Sequence, residues 1–439
     1  MISGAFRLCL LMLLLMAHGA RADGGIRLPI LFVHGNGDSA ALWMTDIWRF
    51  ESNGYPPALL AALDFTHPNA RAADHQPEPN RSSTDDQSTE LAAAVDRMLA
   101  ASQQDRLILV GSSRGGNAIR NFIRHGGQAK VAMAILCGSA NHGVFALPFR
   151  WDFEFNGLGP FLRGLNHPHE TDEGVRFVTL RSDHADKFAQ PTGKYLGYPW
   201  LPTFVGSDGP ALEGAENIVL NGLDHRQLAF HRLAFAAMYR TITGTEPASL
   251  DPIPEPTPQL GGMISGFENG AATNLPLAGV RLTIYQIDPA SGARLGAPAW
   301  RQRTGADGKW GPFPARPDVP YEFDAEAEGY PATRITHTPF PRSSSLVHIR
   351  LAPAGNEAEG RVTLVRPQGY LGRGRDIVTI DGRLPDDLPD GLPATEHASL
   401  VISAGTPRPV PVVLNGRLLT VMSAPFSGAV ERVIAEFDD

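Results

Sequence analysis

Cysteine is nearly absent from this chain, with two in 439 residues, Cys9 and Cys137. A framework of several disulfides is therefore excluded, and stability must come from packed cores. Charge is also sparse, at 19% of residues, and the net charge of -8 carries no basic excess of the kind that binds nucleic acid. No apolar run approaches the roughly 20 residues that a membrane-spanning helix needs. The longest lies near the start, residues 8–16, behind Arg7 and ahead of small residues and Ala20-Arg-Ala22. That is the layout of a secretory signal peptide ending at residue 22, which places the mature protein in the periplasm or outside the cell. Cys9 sits inside the apolar run, not after it, which argues against a lipid-modified start. Cys137 then remains as a lone buried thiol.

What the chain does have is hydrophobic content, 43%, enough for more than one core. The first part alternates short apolar runs (residues 26–33, 107–110, 131–136, 175–180 and 217–220) with helical patterns. The clearest of these are residues 89–102, 115–124 and 227–243. Strand and helix in alternation predict an α/β fold, doubly wound around a mainly parallel sheet. Residues 244–262 are dense in proline, which ends helical continuity and tends to extend the chain. The expected organisation is a signal peptide over 1–22, an α/β domain over 23–245 and a linker over 246–260. A β-sandwich over 261–352 and a β-rich segment over 353–439 follow, since helical periodicity vanishes and β-branched and aromatic residues cluster between turns.

The chemistry concentrates in G-S-S-R-G-G, residues 111–116, directly behind an apolar run and ahead of a helical one. A serine held on a strand-to-helix turn needs small neighbours, and Ser113 has Gly111, Ser112, Gly115 and Gly116. A serine hydroxyl also needs a base, an orienting carboxylate and donors for the oxyanion. His225 follows the last strand of the domain and is the expected base. His142, His184 and His231 are weaker candidates, placed in loops or within a helical pattern. The loop after residue 180 supplies Asp186 as the expected acid and Asp183 as the alternative, while Asp224 adjoins His225 too closely to face it. H-G-N-G at residues 34–37 lets the backbone N–H of Asn36 converge with that of Arg114 on a developing alkoxide, one such donor contributing about 3 kcal/mol. Phe145, Phe149, Trp151 and Phe153 fall between the third and fourth of these elements and are the expected substrate contacts. His167, His169 and Glu170 share an exposed loop, and no metal or other cofactor is required by this chemistry.

With these motifs in this order, residues 26–243 resemble the α/β-hydrolase family of lipases and esterases. The resemblance implies a Ser-His-Asp triad, an acyl-enzyme and an apolar ester as substrate. A charged residue directly after the nucleophile, Arg114, departs from many lipases. A polyester depolymerase, an acyltransferase, an amidase or thioesterase would use the same triad, and a binding protein could retain the scaffold without turnover. The β unit at 261–352 resembles a transthyretin-like sandwich. The whole resembles two-part lipases whose C-terminal β region helps bind lipid, so peripheral contact of the β domains with lipid aggregates is expected by analogy.

Overall fold

The computed structural model describes residues 27–355, 360–402, 406–425 and 430–438. The signal-peptide expectation at 1–22, Cys9 included, lies outside them. Among the described residues no helix is long and apolar enough to cross a membrane.

Six short runs become the strands of one parallel sheet, and their alternating side chains supply two cores. In chain order the elements are β1 (Ile30–Val33), α1 (Met44–Ser52), β2 (Leu60–Leu63), α2 (Thr84–Ser102), β3 (Leu107–Ser112), α3 (Arg114–Phe122) and β4 (Val131–Cys137). After them come α4 (Pro160–Asn166), β5 (Arg176–Arg181), the hairpin β6 (Thr192–Gly193) and β7 (Tyr198–Pro202), β8 (Glu216–Val219), α5 (Gln227–Phe230) and α6 (Arg232–Thr243). The sheet order is β2-β1-β3-β4-β5-β8, parallel throughout. Ile30, Phe32, Ile108, Val110, Ile135 and Val178 face one side, where Phe50 of α1 and Phe235 and Met238 of α6 cover them. Leu31, Val33, Leu107, Leu109, Ala134 and Leu136 face the other, under Leu91 and Val95 of α2 and Ile119 of α3. Strands buried on both faces read as continuous apolar runs for this reason. Cys137 is free and fully buried beside Met238, and burial pushes its thiol well above the ordinary value.

Three elements differ from the sequence expectation. The helix α2 begins five residues before residue 89, because Ser83 and Asp86 form a reciprocal cap: Asp86 N–H donates to Ser83 Oγ at 3.1 Å and Ser83 N–H to Asp86 Oδ2 at 2.8 Å. The helical pattern over 227–243 is broken at His231, which adopts extended backbone and caps α6 by accepting the Leu233 N–H. The strand β2 has no counterpart in the expectation; L-A-A-L is helix-forming by composition and becomes a strand only through pairing with β1.

The proline-dense stretch is laid along α1: Arg49 Nε donates to Leu250 O, and Asn53 Oδ1 accepts the Ser249 N–H, both at 3.0 Å. Beyond it, Gln259–Glu268 pairs with Ala271–Pro276, Lys309–Pro314 and Ser344–Arg350 in one sheet. A seven-stranded sheet then joins both expected β segments. In it Arg432–Glu436 lies between Thr333–His337 and Arg361–Val365, parallel to each, so pairing continues across residues 352 and 353. Met44 and Trp48 of α1 pack into the first β core with Phe323 and Phe340, tying the β region to the α/β domain.

Candidate active site

Strand order reverses at β1, whose neighbours β2 and β3 lead away in opposite directions, and loops leaving the C-terminal ends there open a crevice. The two glycine-bearing motifs occupy it. Ser113 sits between β3 and α3 with φ 53 and ψ -121, a positive-φ conformation rare outside glycine. Its neighbours must be small because α3 presses on the sheet. A Cβ on Gly115 would lie 2.5 Å from Val33 O, and one on Gly116 would lie 1.8 Å from Ser139 Oγ. The strained turn lifts the serine hydroxyl clear of the sheet.

His225, in the loop before α5, reaches back over the strand ends. Its Nε2 lies 2.9 Å from Ser113 Oγ and its Nδ1 lies 2.9 Å from Asp186 Oδ2. All three come from different loops at the C-terminal ends of the strands, after β3, β5 and β8. His225 and Asp186 are buried, and Phe188 packs edge-on against the imidazole at 4.6 Å. Asp186 Oδ1 also accepts the Phe188 N–H at 2.8 Å, which orients the carboxylate. With Asp186 on Nδ1, Nε2 faces the serine as the acceptor of its proton.

The other candidates have different work. Asp183 accepts the N–H groups of His184 at 2.7 Å and Gly222 at 3.1 Å; burial opposes its charge, but these bonds hold its carboxyl below the usual range. Asp224 accepts the Arg226 and Gln227 N–H groups at the start of α5, and Arg375 and the Tyr370 N–H from the β region. His142 pairs with Glu170 at 2.7 Å, and His184 is exposed on its loop.

On the oxyanion side, neither the Asn36 nor the Arg114 N–H is engaged by another backbone carbonyl among the described residues. The Asn36 side chain is committed elsewhere, its Oδ1 accepting the Ala70 N–H at 2.7 Å. His34 is buried and structural: Nε2 accepts the Phe65 N–H at 3.0 Å, and burial lowers its pKa to about 4, which keeps the ring neutral. The Arg114 side chain turns away from the crevice and is 1% exposed. Its Nε and Nη2 form a two-pronged pair with Glu154, and it donates to Ser82 Oγ at 2.9 Å, Ser82 O at 2.7 Å and Pro68 O at 3.2 Å. The charge after Ser113 is thus spent on fastening the aromatic segment to the domain. Sequence reasoning missed Glu154, since nothing local marks it as a partner.

A cavity of ≈ 570 Å³ opens above Ser113 and His225. Phe145, Phe149 and Phe153 line it, with Phe145 and Phe153 stacked at 5.9 Å. Trp151, expected among the contacts, does not line it; the chain turns at 151–152 and leaves the ring half-exposed outside. Three further walls were not anticipated. Phe188 comes from the acid loop, Tyr198 and Trp200 come from the β6–β7 hairpin, and Tyr370 comes from the β region. The aromatic run at 195–200 was the available signal for the hairpin; Tyr370 had none.

Residues 29–206 match a family model described as the alpha/beta hydrolase fold. These residues have the α/β-hydrolase fold. Residues 258–353, which take in the sandwich expected at 261–352 on a transthyretin-like resemblance, match the model of the lipase C-terminal domain. A search of curated proteins finds no match. Among solved structures, similarity extends to Aspergillus fumigatus lipase B (15% identity, 51% of this chain and 54% of that one, TM-score 0.35). It extends also to Bacillus licheniformis lipase BlEst2 in mature form (21% identity, 49% and 92%, TM-score 0.39). Phospholipase PlaB from Legionella pneumophila aligns over 74% of this chain and 94% of its own at 12% identity, with TM-score 0.35.

Proposed function

We propose that the α/β-hydrolase domain is a serine carboxylester hydrolase, an exported lipase or esterase acting on apolar acyl esters. The observation that carries this reading is the single row of hydrogen bonds from Ser113 Oγ through the His225 imidazole to Asp186, beneath an aromatic-walled cavity. In the proposed reaction Ser113 Oγ attacks the ester carbonyl as its proton passes to His225 Nε2. The carbonyl oxygen gains charge and is met by the N–H groups of Asn36 and Arg114. The C–O bond to the alcohol breaks, and His225 returns the proton to the departing oxygen. Water then enters and bonds to the acyl carbon as its proton passes to the same Nε2; the bond to Ser113 Oγ breaks, the acid leaves, and His225 returns the proton to Oγ. Asp186 keeps the proton on Nδ1 and stabilises the imidazolium. The Ser113–His225 separation lies within the reach that general-base catalysis requires.

The cavity favours an acyl chain over a small polar group. Each buried methylene contributes about 0.8 kcal/mol, close to fourfold in binding. Rates on p-nitrophenyl esters from two carbons upward should therefore climb with chain length until the cavity is full. A fluorophosphonate probe should label the wild-type protein and fail on Ser113→Ala. Wild-type protein that neither labels nor hydrolyses an aryl ester would end this reading.

A further inference from the structure

The oxyanion loop, residues 34–38, is gripped from two sides. The α/β domain holds it through the Gly37 N–H, which donates to Pro68 O at 3.0 Å, and through Asn36 Oδ1 on the Ala70 N–H. The β region holds the opposite side. Arg350, at the end of the strand Ser344–Arg350, donates from Nη1 to Gly37 O at 2.8 Å and from Nη2 to Asp38 O at 3.2 Å. Asn274 donates to Asp38 O at 3.0 Å and to Phe65 O at 2.9 Å, and its Oδ1 accepts from Arg350. Gly37 has φ +79, a backbone conformation glycine adopts freely, so the loop turns sharply here and its carbonyls face the β region. The Asp38 side chain binds Arg226, the residue after His225, at 2.7 Å, and Arg226 continues to Pro367 O at 2.6 Å and Glu396 at 2.7 Å. Both halves of the site are therefore fastened to the β region, one by Arg350 and the other by Arg226.

We propose that Arg350 is a positioning residue for the ester hydrolysis proposed above, aiming the Asn36 N–H by clamping the carbonyls of Gly37 and Asp38. The inference rests on that reading of the site. Arg350 contacts neither the cavity above Ser113 nor the triad side chains; it acts through two peptide groups. A planar fork that spans two carbonyls is what a guanidinium offers and an ammonium does not. The β region is, on this view, part of the catalytic unit and not an appended binding module.

The test is a kinetic comparison of full-length wild type, Arg350→Lys and Arg350→Met on one p-nitrophenyl ester. Circular dichroism and a thermal midpoint are recorded for each. A donor displaced by about 1 Å costs on the order of 100-fold in rate. Arg350→Met should lower kcat and kcat/KM together by roughly 10- to 100-fold with KM within about threefold, the pattern of an interaction made in the transition state alone. Arg350→Lys, which can hold one carbonyl, should recover part of kcat. Folded variants with kcat within about twofold of wild type would overturn the proposal. So would variants whose loss is in KM, or a Lys variant that also fails to fold, since Arg350 would then be structural only. Wild-type protein without activity would instead remove the proposed function itself, an outcome read from the wild-type arm alone.

Discussion

Removing Glu154 should damage this protein more than its distance from Ser113 suggests. Arg114 carries its charge at 1% side-chain exposure, with Glu154 at 2%. Burial raises the Glu154 pKa, and the Arg114 guanidinium opposes that rise. Glu154→Ala leaves the guanidinium with three neutral acceptors, Ser82 Oγ, Ser82 O and Pro68 O, and removes the carboxylate paired with it directly. Breaking a buried pair from one side costs about 3–5 kcal/mol. At about 2–4 °C per kcal/mol for a domain of this size, the melting transition should fall by roughly 6–20 °C. Replacing both partners by apolar residues, Arg114→Met with Glu154→Leu, removes the unpaired charge and should recover most of that loss. Differential scanning calorimetry of wild type, Arg114→Met, Glu154→Leu and the double variant measures the coupling directly. The reasoning is refuted if Glu154→Ala melts within about 3 °C of wild type, or if the double variant is as unstable as the two single losses added. Because Glu154 also holds the aromatic segment against residues 82 and 114, turnover of longer esters should decline in the single variant before the fold is lost.

Two further expectations are direct. Asp186→Asn should lower kcat by about 10⁴-fold by disturbing the His225 tautomer, whereas Asp183→Asn should act mainly on stability through the Gly222 and His184 N–H groups. Steady-state kinetics of both variants decides, and loss of turnover in a folded Asp183→Asn protein alone would reverse the assignment. Acid should destabilise the domain through His34, whose pKa burial lowers from 6.5 to about 4. Between those values the unfolded chain binds a proton that the folded ring does not, so stability is full above pH 6.5 and falls as pH drops toward 4, by about 3 kcal/mol. His348, lowered by burial to about 3, adds to the same trend. The thermal midpoint of His34→Gln should vary less over this window than that of wild type; equal slopes would count against the argument.

The legible parts of the site are those whose chemistry is written locally. G-S-S-R-G-G and H-G-N-G carry their own backbone demands, and apolar runs in front of them announce buried parallel strands. His225 stood out because it follows the last strand. Asp186 and Asp183 were separable only by geometry, since both lie in one loop and only one faces the imidazole. Glu154, Tyr370 and Arg350 were beyond reach, being 40, 146 and 313 residues from their partners with no periodicity or motif to connect them. The strand β2 was missed for a related reason: its residues prefer helix, and pairing with β1 overrides that preference. Sequence patterns record what a segment needs by itself, while contacts between distant segments leave little local trace.

The strand Arg432–Glu436 occupies the interior of the seven-stranded sheet, although both of its neighbours are translated before it. As the polypeptide is made, Thr333–His337 and Arg361–Val365 emerge first and cannot reach their final pairing until about 70 more residues have followed. Parallel, non-local pairing of this kind is slow to form and leaves strand edges open in the meantime. The α/β domain faces no such wait, because all six strands of its parallel sheet lie ahead of residue 220. Synthesis therefore sets a sequence of events, an early α/β core and a late β region, and the interval between them is when this chain is most exposed to mispairing and to proteases.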